Sequence, residues 1–308
     1  MAKTGIAIAP FADEGLLDAV SAGGGEVVEP AAARGLVWTN PADPQALQET
    51  IDGSLIEWVQ LPLAGIEFFV EAGVIDPART WTCAKGTYGH ACAEHALALM
   101  LTAARRIHYH ARNRRWEPSG PGRPESRLKD KVVVIYGTGG IGGALVPMLT
   151  PLGARMVGVN RSGRPLDGAE KTVTLDRLAE IAAVADFLVV AAAVTPETIS
   201  SVDDKVLAAL PEHAWIVYVA RGSLVDTEAL VRALNQKSIA GAALDVTEPE
   251  PLPEDHPLWA SENTIITPHI ANTWDMALPD LTELVRRNVA NFVGEKPLEG
   301  LVDVEAGY

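Results

Sequence analysis

Gly5 to Ala9, Glu26 to Val28, Gly35 to Trp38, Leu55 to Leu61 and Thr80 to Ala84 are short apolar runs. Turn residues or polar, helix-prone stretches separate them, and Pro41 to Ile51 reads as one such helix. Strand-length runs alternating with helical stretches are the pattern of βα units around a parallel sheet. From His90 to Arg115 the pattern changes. Ala, Leu and Met recur at helical spacing and the end is basic. One long helix is predicted there, with Arg105, Arg106 and Arg112 near its negative pole. Glu117 to Glu125 carries three prolines and two glycines and is predicted to be a loop joining two lobes.

The alternation then restarts. Lys131 to Tyr136, Arg155 to Val159, Phe187 to Ala193, Trp215 to Val219, Ala242 to Val246 and Thr264 to Thr267 are predicted strands. Asp226 is the predicted N-cap of a helix from Thr227 to Gln236. A last helix is predicted from about Thr273 to Val293. There is no internal repeat and no low-complexity tract.

With 308 residues, 48% of them hydrophobic, the chain can bury a sizeable core in one large domain or two modest ones. The formal net charge of −15 disfavours nucleic-acid and membrane partners, because an acidic surface repels phosphates and anionic headgroups. It leaves room for an anionic substrate, since a few local cations can reverse the field inside a cleft. No window reaches the ~18 apolar residues of a membrane span. The two cysteines, Cys83 and Cys92, cannot build a disulfide framework, so a reduced, cytoplasmic setting is expected. His90, Cys92 and His95 do not read as a metal site, because a spacing of five residues puts the two histidines on different helix faces.

Gly137-Thr138-Gly139-Gly140-Ile141-Gly142 matches G-x-G-x-x-G. The pattern alone is weak, but here it follows a strand and opens a helix. Gly137 allows the tight turn, Gly139 lets the backbone approach a pyrophosphate, and Gly142 lets helix and strand pack closely. The helix start offers unpaired N–H groups to the phosphates, and Pro147 lies far enough along to leave that start intact. After the next strand come Asn160, Arg161, Ser162, Gly163 and Arg164, where an NAD site usually places a carboxylate for the ribose 2′-OH. Two arginines suit a 2′-phosphate instead. The expected cofactor is NADP(H), with NAD(H) as the alternative.

Three further segments follow predicted strands of this lobe: Val219-Ala220-Arg221-Gly222, the acidic proline-rich stretch around Glu250, and Thr267-Pro268-His269. Strand ends of a doubly wound sheet are where ligands bind. Reduction of a keto acid requires an anchor for the carboxylate, polarisation of the carbonyl and a proton for the new alkoxide. Arginine pairs two-point with a carboxylate, and histidine is the usual proton donor. A neighbouring carboxylate favours the imidazolium and fixes its tautomer. Arg221, His269 and Glu250 are the candidates, with Glu248, Glu254 and Asp255 as nearby rivals for the carboxylate.

At these residues the chain resembles the D-isomer-specific 2-hydroxyacid dehydrogenase family. GTGGIG, TPET (Thr195 to Thr198), ARGSLVDTEAL, AGAALDVTEPEPLP with DHPLW, TPHIA and AEHALALML carry the resemblance. The spacings of 29 residues from Arg221 to Glu250 and 19 from Glu250 to His269 belong to it. It implies two Rossmann-like lobes with parallel doubly wound sheets, the cofactor lobe (residues 104–272) inserted into a substrate lobe (residues 1–103 and 273–308). It also implies a homodimer and short reductases of glyoxylate or hydroxypyruvate as the nearest comparison. Backbone N–H groups of Leu63, Ala64 and Gly65 would hold the substrate carboxylate. Asp245 would lie at the nicotinamide side, and Val194, Thr195, Val219, Ala220 and His269 would complete the cofactor contacts. The chain departs from the family in three places. Tyr136 precedes the glycine motif where Gly is common, Tyr218 stands where Asn is common, and Ala192 to Thr195 replaces Leu-Pro-Leu-Thr. The expected activity is hydride transfer between NAD(P)H and a small 2-keto acid. A dinucleotide-sensing, corepressor-like binding protein on the same fold is the alternative.

Overall fold

The computed structural model describes residues 3–116 and 124–304. The chain divides into two compact units, Met1–Tyr88 with Trp274–Tyr308, and Gly89–Thr273. In the first unit β1 (Gly5–Ala9), α1 (Glu14–Ala22), β2 (Glu26–Val27), β3 (Gly35–Trp38), α2 (Pro44–Ile51), β4 (Trp58–Gln60), α3 (Glu67–Glu71) and β5 (Thr80–Thr82) follow in order. The five strands form one parallel sheet in the order β2-β1-β3-β4-β5. Alternate residues feed the two faces: Ala7, Leu36 and Val59 pack into one core and Ile6, Val37 and Trp58 into the other. That division follows from the period-2 projection of strand side chains.

The second unit opens with α4 (Gly89–Ala104) and α5 (Ile107–Asn113). These correct the single long helix expected from the apolar periodicity. The break lies at Arg106, whose φ of 51° no α-helix continues through. Arg106 stacks over the Tyr109 ring at 4.3 Å and lies 3.8 Å from Glu125. Arg112 donates to the carbonyls of Glu262 and Thr264 at 3.2 and 3.0 Å. Helix α4 is part of this unit, so the unit begins at Gly89 rather than at residue 104. The residues 117–123 of the expected joining loop lie outside the described residues.

β6 (Val132–Tyr136), α6 (Gly140–Leu149), β7 (Arg155–Asn160), β8 (Lys171–Thr174), α7 (Leu178–Ala182), β9 (Phe187–Val190), α8 (Asp204–Ala209), β10 (Trp215–Tyr218), α9 (Thr227–Asn235), β11 (Gly241–Leu244), α10 (Pro257–Ala260) and β12 (Thr264–Ile266) complete the unit. Its seven-stranded sheet has the order β12-β11-β10-β9-β6-β7-β8, with every pair parallel. The chain winds outward from β6 through β8, then restarts at β9 on the other side of β6. The crevice at this reversal is where such folds bind ligands. Asp226 caps α9 as its sequence predicts, its carboxylate accepting from Ala229 N at 2.9 Å.

The last helix, α11 (Trp274–Val293), returns to the first unit and packs on α1. A buried polar network secures the return. Asn288 donates to Gln60 Oε1 at 2.8 Å and Glu299 O at 3.0 Å, and accepts from Glu299 N at 2.8 Å. Gln60 Oε1 also accepts from Thr82, whose hydroxyl oxygen accepts from Trp58 Nε1. Buried amides satisfied in this way specify one pairing, since an unmade bond would cost about 1–3 kcal/mol.

Candidate active site

The glycine turn sits at the reversal point of the second sheet. Gly137 has a φ of 101°, and a Cβ there would come within 2.3 Å of the Ala191 and Ala192 backbone that leaves β9. A Cβ on Gly142 would meet Gly137 O at 2.2 Å, so the start of α6 lies directly on the turn. Gly139 differs: a Cβ built on it meets nothing within 4 Å. Gly139 and Gly140 are exposed and Ile141 is half-buried. The turn is therefore tight behind and open in front, and the N–H groups that begin α6 face a space that can take a pyrophosphate.

Asn160, at the end of β7, organises the neighbouring loop. Its amide donates to Thr138 Oγ1 at 2.7 Å and to Arg164 O at 2.8 Å, and its carbonyl oxygen accepts from Ser162 N at 3.1 Å. Ser162 Oγ accepts from Arg164 N. Arg161, Ser162 and Arg164 are exposed on the resulting turn. Glu197 lies close enough to Arg161 for the cation to help hold its carboxyl below the usual range, after the larger effects of hydrogen bonds from Thr195 and its own backbone. Val194 and Thr195 are half-buried, and Val219 and Ala220 are buried at the end of β10.

The three catalytic candidates leave adjacent strands from one rung. Tyr218 pairs with Leu244, and Leu244 with Ile266. Arg221, Thr247 and His269 each follow that rung by three residues. Neighbouring strands lie ~4.8 Å apart, so the loops emerge side by side. Gly222 enforces the closeness, since a Cβ there would stand 2.0 Å from Thr247 O. His269 Nδ1 and Glu250 Oε1 are 2.6 Å apart, both side chains partly exposed. An ionised carboxylate only accepts, so Nδ1 carries the hydrogen and Nε2 is the ring nitrogen left for other chemistry. Arg221 is half-buried and uses one guanidinium N–H on Ala220 O at 2.9 Å.

Asp245, expected at the nicotinamide side, is turned inward and is 1% exposed. Its Oδ1 accepts from Thr267 Oγ1 at 2.5 Å and Ile270 N at 3.0 Å, and its Oδ2 from Ala271 N at 2.9 Å. His95 of α4 reaches the same cluster, with Nε2 at 2.9 Å from Thr267 Oγ1 and 3.3 Å from Asp245 Oδ1. Asp245 O accepts from His269 N at 2.8 Å. The 267–271 loop is thus wrapped around one carboxylate, which holds His269 at a φ of 53°. Burial pushes the Asp245 pKa up, but the hydrogen bonds from His95, Thr267 and the two amides outweigh it and bring it down to about 2. The contribution of His95 was not read from the sequence. In the sequence His95 figures only in the rejected metal grouping with His90 and Cys92 and in the AEHALALML stretch, and its partner lies 172 residues away.

The folded-state value lies below the ordinary aspartate value of 3.8. The contribution of Asp245 to stability is therefore present above about pH 4 and lost as pH falls toward 2. At pH 7 it amounts to roughly 2 kcal/mol. Asp245→Asn is expected to lose at least that much in urea unfolding at pH 7, and its gap to the wild type should narrow between pH 5 and pH 3. A gap that stays constant with pH would assign the loss to packing rather than to the charge.

Cys92, on the same helix, has its thiol pushed up to about 11, chiefly by burial, with Asp245 adding and Arg221 opposing. Among the described residues no group of three or more His, Cys, Asp or Glu is arranged to hold a metal. No described helix is long and apolar enough to cross a membrane. Leu63, Ala64 and Gly65 lie in the first unit between β4 and α3. Leu63 O accepts from Ala84 N at 2.9 Å, and Pro62 O accepts from Tyr88 Oη at 2.6 Å.

Residues 97–271 match the family model described as D-isomer specific 2-hydroxyacid dehydrogenase, NAD binding domain. An uncharacterized protein of Corynebacterium melassecola, from the region 3′ of proB, is 39% identical over 94% of this chain and 95% of its own length. The glyoxylate reductase/hydroxypyruvate reductase of Mus musculus is 35% identical over 61% of this chain and 58% of its own length, so this match spans less than two thirds of either protein. A crystal structure of a D-isomer specific 2-hydroxyacid dehydrogenase from Xanthobacter autotrophicus Py2, in complex with NADPH and MES, superposes with a TM-score of 0.84. It is 27% identical and covers 100% of both chains.

Proposed function

This chain belongs to the D-isomer specific 2-hydroxyacid dehydrogenase family, and on that premise we propose that it reduces a small 2-keto acid of the glyoxylate or hydroxypyruvate type to the D-2-hydroxy acid, preferring NADPH to NADH. The observation that carries the reading is the 2.6 Å pairing of His269 with Glu250, on a loop neighbouring that of Arg221 at the sheet's carboxyl edge. A bound nicotinamide supplies the hydride to the carbonyl carbon. Arg221 grips the substrate carboxylate and polarises the carbonyl oxygen. His269 gives its Nε2 proton to the alkoxide as it forms. Glu250 orients the ring and stabilises its charged form. Asp245 and His95 position the His269 loop. In the first unit the proposal rests on the resemblance alone: the Leu63-Ala64-Gly65 backbone binds a carboxylate. A homodimer in the cytoplasm belongs to the same proposal.

For the cofactor, the open face at Gly139 and the start of α6, which no side chain caps at Gly139, fit a pyrophosphate. Gly137, Gly140, Ile141 and Gly142 shape that cradle, and Val194, Thr195, Val219 and Ala220 border it. Arg161, Ser162 and Arg164 receive the 2′-phosphate. The NADPH in the Xanthobacter structure supports this preference. The wild type should show a higher kcat/KM with NADPH than with NADH. Replacing Arg161 and Arg164 together by Ala should lower the NADPH value by about tenfold, on the scale of an exposed charge-assisted bond, and leave the NADH value nearly unchanged. An equal or higher wild-type kcat/KM with NADH overturns the preference.

The experiment for the whole reading is a panel of glyoxylate, hydroxypyruvate, pyruvate and phenylpyruvate, each run with both reduced cofactors. Turnover on glyoxylate or hydroxypyruvate is the expected result. Tight cofactor binding with no turnover on any of the four would favour the dinucleotide-sensing alternative.

A further inference from the structure

Two tyrosines stand where the family commonly carries Gly and Asn, and both end a strand of the second sheet. Tyr136 closes β6 and Tyr218 closes β10. Each is paired with Val190 of β9, the strand between them. They therefore share one rung and project to the same face, where both enter one core with 2% exposure. A purely apolar side chain would fill that core equally well. The hydroxyls do something else: each leaves the core at its upper edge and meets a loop.

Tyr218 Oη donates to Arg221 O and accepts from Leu224 N at 3.2 Å. Both hydrogen-bonding capacities of the phenol are used on the two ends of one turn, Gly222–Leu224, which Arg221 begins. The turn is also held from outside, Ser200 N donating to Ser223 O at 2.8 Å and Val202 N to Leu224 O at 3.1 Å, but Tyr218 is the side chain that bonds both of its ends. Tyr136 Oη lies 2.8 Å from Ser201 Oγ. Ser201 spends its single proton on Thr198 O at 2.7 Å, so the tyrosine is the donor of the first bond. Thr198 in turn closes its own loop. Its Oγ1 accepts from Thr195 N at 2.7 Å and donates to Ala193 O at 2.8 Å. A continuous chain of bonds runs from the end of β6 to the Thr195–Thr198 loop.

We propose that Tyr218 and Tyr136 are positioning residues with separate duties, Tyr218 setting the backbone that carries Arg221 and Tyr136 setting the Thr195–Thr198 loop that borders the cofactor. The proposal rests on the functional reading above, with Arg221 on the substrate and Thr195 on the cofactor. Neither Gly nor Asn is long enough to bridge from this rung to those loops, so the arrangement is particular to the tyrosines.

The test is the pair Tyr218→Phe and Tyr136→Phe, which remove one oxygen each and keep the core filled. Steady-state kinetics with glyoxylate or hydroxypyruvate would be joined to NADPH binding measured by fluorescence. Tyr218→Phe should raise the keto-acid KM by about tenfold, the scale of one hydrogen bond, and leave the NADPH Kd within about twofold. Tyr136→Phe should do the reverse, weakening NADPH by about five- to tenfold with the keto-acid KM at saturating NADPH unmoved. The NADPH Kd of Tyr218→Phe also serves as its control for folding. Lower melting temperatures in both variants, with KM and Kd both unmoved, would reduce the hydroxyls to core satisfaction and overturn the proposal. So would identical losses of both ligands in both variants. Arg221→Lys separates the two levels. If it is impaired while Tyr218→Phe is normal, only the tyrosine proposal falls. If Arg221→Lys is itself normal, the functional reading falls first.

Discussion

His269→Ala is expected to retain cofactor binding and to lose about 10²–10⁴ in kcat, the range in which a positioned proton donor contributes. The loss should fall mainly on kcat, because the proton is transferred in the reaction and not in the binding step. His269→Asn is the sharper variant. Asparagine tolerates the left-handed backbone, here at a φ of 53°, better than most residues, so the loop can keep its course. It offers an N–H but no transferable proton. A kcat as low as that of the alanine variant would place the effect in proton transfer, and a recovery to near wild type would remove His269 from that role. Glu250→Gln should lie between. It keeps a hydrogen-bond acceptor 2.6 Å from Nδ1 but not the charge that stabilises the imidazolium.

The loop that presents His269 marks how far the sequence could be read. Strand-length apolar runs, the glycine turn and the Asp226 cap depend on neighbours within a few residues, and local chemistry determines them. The edge strand β8, Lys171–Thr174, escaped this reading because KTVT alternates polar and apolar weakly over four residues. The break between α4 and α5 escaped it for a different reason. Residues 90–115 contain no glycine or proline to mark a break, and what separates the helices is the backbone turn at Arg106, together with Ala104 O accepting from Ser126 N. Arg221, Glu250 and His269 could be singled out as candidates because each follows a strand end, which is a topological address. Their supports could not. Asp245 holds amides 25 and 26 residues away, and His95 meets Thr267 across 172 residues. No local pattern encodes a partner at such separations, and a buried aspartate is read only as part of a strand until its neighbours are known. The two tyrosines appeared in the sequence as departures from a family habit, and only the hydroxyl partners gave them a purpose.

Arg221→Ala is the second large effect expected, and it differs in kind. A guanidinium that pairs with a carboxylate acts on the substrate before and during hydride transfer, so both KM and kcat should suffer. Truncating one partner of a desolvated charge pair costs about 2–5 kcal/mol, which predicts a fall of roughly 30- to several-thousand-fold in kcat/KM for the keto acid. NADPH binding should stay within about twofold, because the proposed cradle at the glycine turn uses no part of the Arg221 side chain. Arg221→Lys tests the geometry rather than the charge. Lysine keeps the cation but loses the planar fork, so most of the loss should remain, and a fully active lysine variant would remove Arg221 from two-point carboxylate recognition and overturn the functional reading. Guanidinium added to Arg221→Ala offers a positive control. The backbone at this position is held by Tyr218 and by the Gly222 contact with Thr247, neither of which involves the Arg221 side chain. The vacated space should therefore persist and admit the free cation. Partial rescue of Arg221→Ala, absent from His269→Ala, would tie the loss to a missing guanidinium at that spot and not to a disturbed fold.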